Sequence, residues 1–124
     1  MAEPMTPGTD PALQRTPRIG ILFAQFAPYH ADRIEAAARA LAGRATVVGV
    51  EVTQASETYA WSPSGEVRGA EKRLLFSGEA YERIGTWRRF RAQYAALKDC
   101  DTVFVGIGYN EPDVIALEIG RAHV

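Results

Sequence analysis

The stretch RIGILFAQFAPYH, residues 18–30, decides the fold. Its apolar run, residues 19–26, has the length of a strand buried on both faces. Pro28 is expected to end that strand, because proline has no N–H to give to a ladder. Residues 32–41 then read as a helix, with Ile34, Ala37, Ala38 and Leu41 repeating at i, i+3, i+4 and i+7. Gly43 suits the stop. Strand, tight loop and helix in that order open an α/β sheet. The loop carrying Gln25, Pro28, Tyr29 and His30 falls at the carboxyl end of the first strand, where open α/β sheets bind their ligands.

Outward from this unit the chain keeps the same grammar. Residues 45–52, ATVVGVEV, are β-branched and apolar and read as a second buried strand, reached by a right-handed parallel crossover. Residues 53–70 carry Ser56, Ser62, Pro63, Ser64, Gly65 and Gly69 and read mostly as loop. Residues 72–76 read as a short third strand closed by Ser77 and Gly78. Residues 81–97 form the longest helical pattern, with Trp87, Phe90, Tyr94 and Leu97 on one face. Residues 102–107, TVFVGI, read as a fourth strand, left as an apolar edge. Gly108 and Tyr109 turn the chain, Asn110 is the expected N-cap, and Pro112 and Asp113 fall in the first turn of a helix starting near Glu111.

The bulk composition narrows the function. A chain of 124 residues holds one small domain. With 47% hydrophobic and 23% charged residues it reads as a soluble globular protein, and a net charge of −1 gives no electrostatic reason to expect nucleic acid. The single cysteine, Cys100, makes no internal disulfide and no zinc spacing, which suits a reducing compartment. No apolar run approaches the roughly 20 residues that span a bilayer, and no signal-peptide pattern opens the chain, so a cytoplasmic location is expected. Residues 1–17, with Pro4, Pro7, Pro11 and Pro17, read as a disordered Pro-rich tail.

The candidate site lies between two loops. In the doubly wound strand order 3-2-1-4, the loop after strand one and the loop after strand four face each other across one crevice. Gln25, Pro28, Tyr29 and His30 come from the first; Gly108, Tyr109, Asn110 and Glu111 come from the second. Gly106 and Gly108 permit close backbone approach there. The first loop lacks Gly-x-Gly-x-x-Gly, and Phe26, Pro28 and Tyr29 would block a dinucleotide pyrophosphate, so no such cofactor is expected. No metal cluster, phosphate loop or nucleophile–base pair is readable. Two readings of His30 stand open. It meets a polar ligand beside the positive end of a helix, or it is a solvated cap while Tyr29 packs on the sheet edge. Asn110 and Glu111 likewise serve a ligand or simply cap a helix. Arg88, Arg89 and Arg91, interleaved with Trp87, read as a solvated helix face, with contact to anionic lipid headgroups as the alternative.

The motifs also carry a family resemblance. Residues 21–30 (ILFAQFAPYH) with Arg33, then residues 57–61 (ETYAW), then residues 101–113 (DTVFVGIGYNEPD) resemble the N-terminal domain of bacterial glycosyltransferases, the retaining family 4 type of GT-B architecture. The resemblance covers about residues 18–117. It implies a Rossmann-like parallel sheet with flanking helices, the incomplete N-terminal half of a fold of two facing domains. It implies transfer of a sugar from a nucleotide-sugar donor to a hydroxyl of a sugar or lipid-linked acceptor, with retention. Peripheral contact with the inner face of the membrane is the alternative to a plainly cytoplasmic location. The loops at residues 28–30 and 109–111 would line the acceptor side, with His30 as the catalytic candidate. The donor would be held by the C-terminal half, so this chain alone is expected to be inactive. The competing readings are a non-catalytic flavodoxin-like domain for a small ligand or partner, and a mononucleotide-binding α/β enzyme. Residues 118–124, EIGRAHV, match what a common sequencing-adapter oligonucleotide encodes in one frame, and the helical pattern is expected to break at Gly120. They read as a non-native tail on a truncated chain, and Arg121 and His123 are left out of the site.

Overall fold

The computed structural model describes residues 16–55, 67–107 and 112–122. Four strands, β1 (Arg18–Phe23), β2 (Thr46–Ala55), β3 (Glu71–Ala80) and β4 (Thr102–Val105), form one sheet in the order β3-β2-β1-β4. Every pairing is parallel. Helices α1 (Pro28–Ala40), α2 (Thr86–Leu97) and α3 (Pro112–Ala122) flank it, with a single 3-10 turn at Tyr81–Arg83. This is an α/β sheet of Rossmann-like arrangement, in the order that the alternating strand and helix patterns imply.

Side-chain alternation along the strands divides the core into two layers. Leu22, Val48, Val50 and Val52 pack with Ile84, Leu97, Cys100, Ile107 and Leu117 on the face that carries α2 and α3. Val47 packs with Phe26, Ala31, Ile34 and Ala38 on the opposite face, beneath α1. β4 is the sheet edge, and Phe104 stands 60% exposed on it.

Several boundaries differ from the expectations, each for a local reason. Pro28 does not end a strand. It occupies the first turn of α1, where the missing N–H costs nothing and the fixed φ suits a helix. Tyr29 and His30 therefore lie in α1 rather than before it. β3 runs through Ser77 and Gly78 to Ala80, because β2 continues to pair with it as far as Ala55. The register slips between Thr53 and Ala55, and Gly78 takes a φ of 82°, which a residue with a Cβ would strain to adopt. The long helix divides: buried Ile84 and then Gly85 separate the 3-10 turn from α2.

α2 is also rotated from its aromatic stripe. Its buried line is Arg89, Gln93 and Leu97, while Trp87 is 66% exposed and stacks on Phe90. Arg89 is thus no part of a solvated face. α3 passes through Gly120 to Ala122, since one glycine costs a helix only about 1 kcal/mol. Almost all of the Pro-rich tail, the segment 57–61, and Gly108, Tyr109, Asn110 and Glu111 lie outside the described residues.

Candidate functional site at the carboxyl ends of β1 and β4

After Phe23 the chain runs beside the end of β2 before α1 begins. Thr53 N–H donates to Ala24 O (3.1 Å), and the Gln25 amide, Nε2, donates to Gln54 O (2.8 Å). Phe26 N–H donates to Glu51 Oε2 (2.7 Å). Glu51 is fully buried, and Lys72 Nζ lies 3.4 Å from its other oxygen and 5.6 Å above the Phe26 ring. Gln25 is buried and committed to β2 rather than presented on the surface; its Oε1 has no hydrogen-bond partner among the described residues.

Ala27 is the N-cap of α1 and has no side chain to accept a hydrogen bond, so the cap is built in reverse. His30 reaches back: its Nδ1 lies 3.0 Å from Ala27 N and 3.1 Å from Gln25 O. His30 N–H and Ala31 N–H in turn donate to Ala27 O. The amide of Phe26 is therefore occupied by β2 and those of Ala27, His30 and Ala31 within the turn, and Pro28 has none. This helix start offers no open row of N–H groups to a phosphate, in contrast to a glycine-rich loop.

What faces outward is made of side chains. Pro28 is exposed, and Tyr29 is half exposed with the Arg33 guanidinium 5.7 Å from its ring centre. The His30 ring stacks on Phe23 (centroids 4.0 Å apart, planes at 19°) and leans against Tyr29 at 4.2 Å. Burial lowers the His30 pKa; the Gln25 carbonyl opposes that shift, and the Arg33 charge adds to it. Burial thus favours the neutral ring. Nδ1 accepts from Ala27 N–H in one tautomer and donates to Gln25 O in the other. In both, Nδ1 is engaged by the turn's own backbone, and Nε2 is the ring nitrogen outside these two contacts.

The end of β4 meets this group through Phe23. Gly106 N–H donates to Leu22 O (2.7 Å), extending the β1–β4 ladder one residue past Val105. A Cβ on Gly106 would fall onto the edge of the Phe23 ring. The strand ends that carry the two predicted loops are thus in contact, although residues 108–111 themselves are outside the described residues.

The far side of that loop is fixed at Asp113, in the first turn of α3. Its carboxylate is fully buried and accepts Arg89 Nε (3.1 Å) and Nη2 (3.2 Å) and Gln93 Nε2 (3.0 Å). Arg89 also donates through Nη1 to Ile84 O (2.6 Å), and its guanidinium stacks on Tyr81 at 4.7 Å. Asp113 thus locks α3 onto α2 besides complementing the helix dipole.

Phe23, Glu51, Arg89 and Asp113 were not among the expected site residues. Only Glu51, a lone charge inside an apolar strand, carries a visible signal in the sequence. Among the described residues no group of three His, Cys, Asp or Glu side chains could hold a metal ion, and no helix is long and apolar enough to cross a membrane. No family model, curated protein or solved structure matches this chain.

Proposed function

We propose that this chain forms the acceptor side of a glycosyltransferase that moves a sugar from a nucleotide-sugar donor to a hydroxyl. The observation that carries the reading is the chemistry of the β1–α1 turn. The backbone amides of Phe26, Ala27, His30 and Ala31 are satisfied internally, and an aromatic face (Tyr29) and a half-buried imidazole (His30) are what it turns outward. Such a surface suits a neutral, hydroxyl-bearing ligand better than a phosphate: aromatic rings cover the apolar faces of sugars, and a hydroxyl can both donate to and accept from an imidazole nitrogen. In this reading the donor is held by a second domain, and the loop at residues 108–111 completes the acceptor side.

His30 then acts as a positioning residue more than as a general base, because its Nδ1 is held by the backbone of its own turn and no carboxylate among the described residues orients the ring. Replacing His30 by Ala in the full-length enzyme is expected to lower turnover about ten- to thousand-fold with donor affinity little changed. Tyr109→Ala is expected mainly to raise the acceptor KM. Wild-type turnover of His30→Ala across acceptors would make the histidine a helix cap alone. The same surface also suits a non-catalytic sugar-binding domain, the runner-up; nucleotide-sugar turnover by the full-length protein separates the two.

A further inference from the structure

The Phe23 ring touches both halves of the candidate site. It closes β1 and lies flat against His30, with centroids 4.0 Å apart and planes at 19°. At the ring's edge Gly106 approaches so closely that any Cβ would overlap ring atoms Cδ1 and Cε1, and that Cβ would also sit 3.2 Å from Leu22 O. Its third contact is Phe26, edge to face at 6.0 Å and 82°. Phe26 is itself fully buried and held through its N–H by Glu51. The ring has His30 on one side and the backbone of Gly106 on another, with Phe26 fixed beside it. Close packing of this kind leaves little void for one ring to move without displacing its neighbour.

We infer that Phe23 is a positioning residue that sets the plane of the His30 imidazole, and that Gly106 is the glycine that allows it. The end of β4 is thereby coupled mechanically to His30. A shift of the Gly106 backbone moves the Phe23 ring, and the stacked imidazole follows while Nδ1 stays held by the backbone of its own turn. The consequence for catalysis rests on the reading of His30 as the ligand-facing group; the coupling itself does not.

The two claims separate in one experiment. The chain has two histidines, His30 and His123, so the imidazole proton signals in an NMR spectrum are few, and the His30→Ala variant assigns them. The wild-type His30 protons are expected upfield, shielded by the stacked Phe23 ring. Phe23→Leu removes the shielding and moves them downfield. Gly106→Ala displaces the ring and moves them in the same direction with Phe23 still present. Phe23→Tyr keeps the ring and the wild-type shifts, and Phe104→Leu, on the exposed face of the same strand, leaves them unchanged. Dispersed amide signals show that each variant is folded; if Gly106→Ala is not, the contrast of Phe23→Leu with Phe23→Tyr decides. Unmoved His30 signals in folded Phe23→Leu overturn the inference. Moved signals with wild-type turnover in full-length His30→Ala leave the positioning intact and sink only the catalytic reading.

Discussion

Two of the arginine–carboxylate sets in this molecule, one at each end of the sheet, use the same chemistry in opposite surroundings. At the amino end, Arg73 grips Asp99 with two nitrogens at 3.0 Å each, and Arg18 bridges Glu71 (3.0 Å) and Asp99 (3.3 Å). The carboxylate side chains there are 44% and 46% exposed. Toward the carboxyl end, Arg89 grips Asp113 with two nitrogens as well, but their side chains are 8% and 0% exposed. Water screens the first set and competes for it, so each pair contributes little. The second set lies in a low-dielectric interior, where an ion left without its partner is costly. The buried set stands next to the candidate site, at the start of α3. The exposed set fastens the end of the sheet remote from it.

The largest expected effect lies in the buried pair. Asp113→Ala strands the Arg89 guanidinium and the Gln93 amide, and a loss of about 3–5 kcal/mol is expected, seen as a lower urea midpoint. Arg89→Met combined with Asp113→Leu should recover most of that loss, since an apolar pair no longer needs the desolvated charges. A double variant as unstable as Asp113→Ala would show that the geometry of the pair, rather than the unpaired charge, carries the effect.

Glu51 offers an intermediate case: buried like Asp113, but serving the Phe26 amide as well as Lys72. Glu51→Ala leaves that N–H unsatisfied, and a loss of about 1–3 kcal/mol is expected. Glu51→Gln keeps an acceptor oxygen and should lose less. Equal losses in the two variants would mean that charge, through Lys72, matters more than the hydrogen bond.

The smallest effect belongs to the exposed network and appears only in acid. The Arg73 hydrogen bonds, with the nearby charges of Arg73 and Arg18, pull the Asp99 pKa from 3.8 to about 2. A folded pKa below the unfolded one gives stability that is present above the unfolded value. It is lost as pH falls from about 3.8 through about 2. Because Asp99 is 46% exposed, that contribution is expected to stay below about 1 kcal/mol. Asp99→Asn should flatten this limb of a stability–pH curve, and salt near 1 M should shrink it in the parent. A salt-insensitive limb would show that the network is not screened as its exposure implies.

The site was half legible before folding was considered. Tyr29 and His30 follow an apolar strand run closely enough that any parallel α/β arrangement brings them to the carboxyl end of the sheet. Pro28 misled because the physics that ends a strand also opens a helix; the same missing N–H serves both. Arg89 misled for a different reason. Flanked by Arg88 and two positions from Arg91, it resembles a charged solvent face, and Trp87 beside it resembles a core residue. The structure exchanges them, because Asp113, 24 residues later, supplies the partner that makes an arginine cheap to bury.

The sequence by itself determined the elements and their order: β-branched apolar runs make β1, β2 and β4, the 3.6-residue apolar repeat makes α1, and the alternation of strand and helix gives the parallel 3-2-1-4 sheet. These are local signals, written in periods of two and 3.6 residues. The tertiary structure alone decided which charges are buried, that His30 caps its own helix, and that Phe23 lies between His30 and Gly106. Each of those outcomes depends on the energy of a contact between side chains and backbone that only the completed sheet brings together. No local periodicity encodes such a contact, because its cost or benefit is set by the water it excludes.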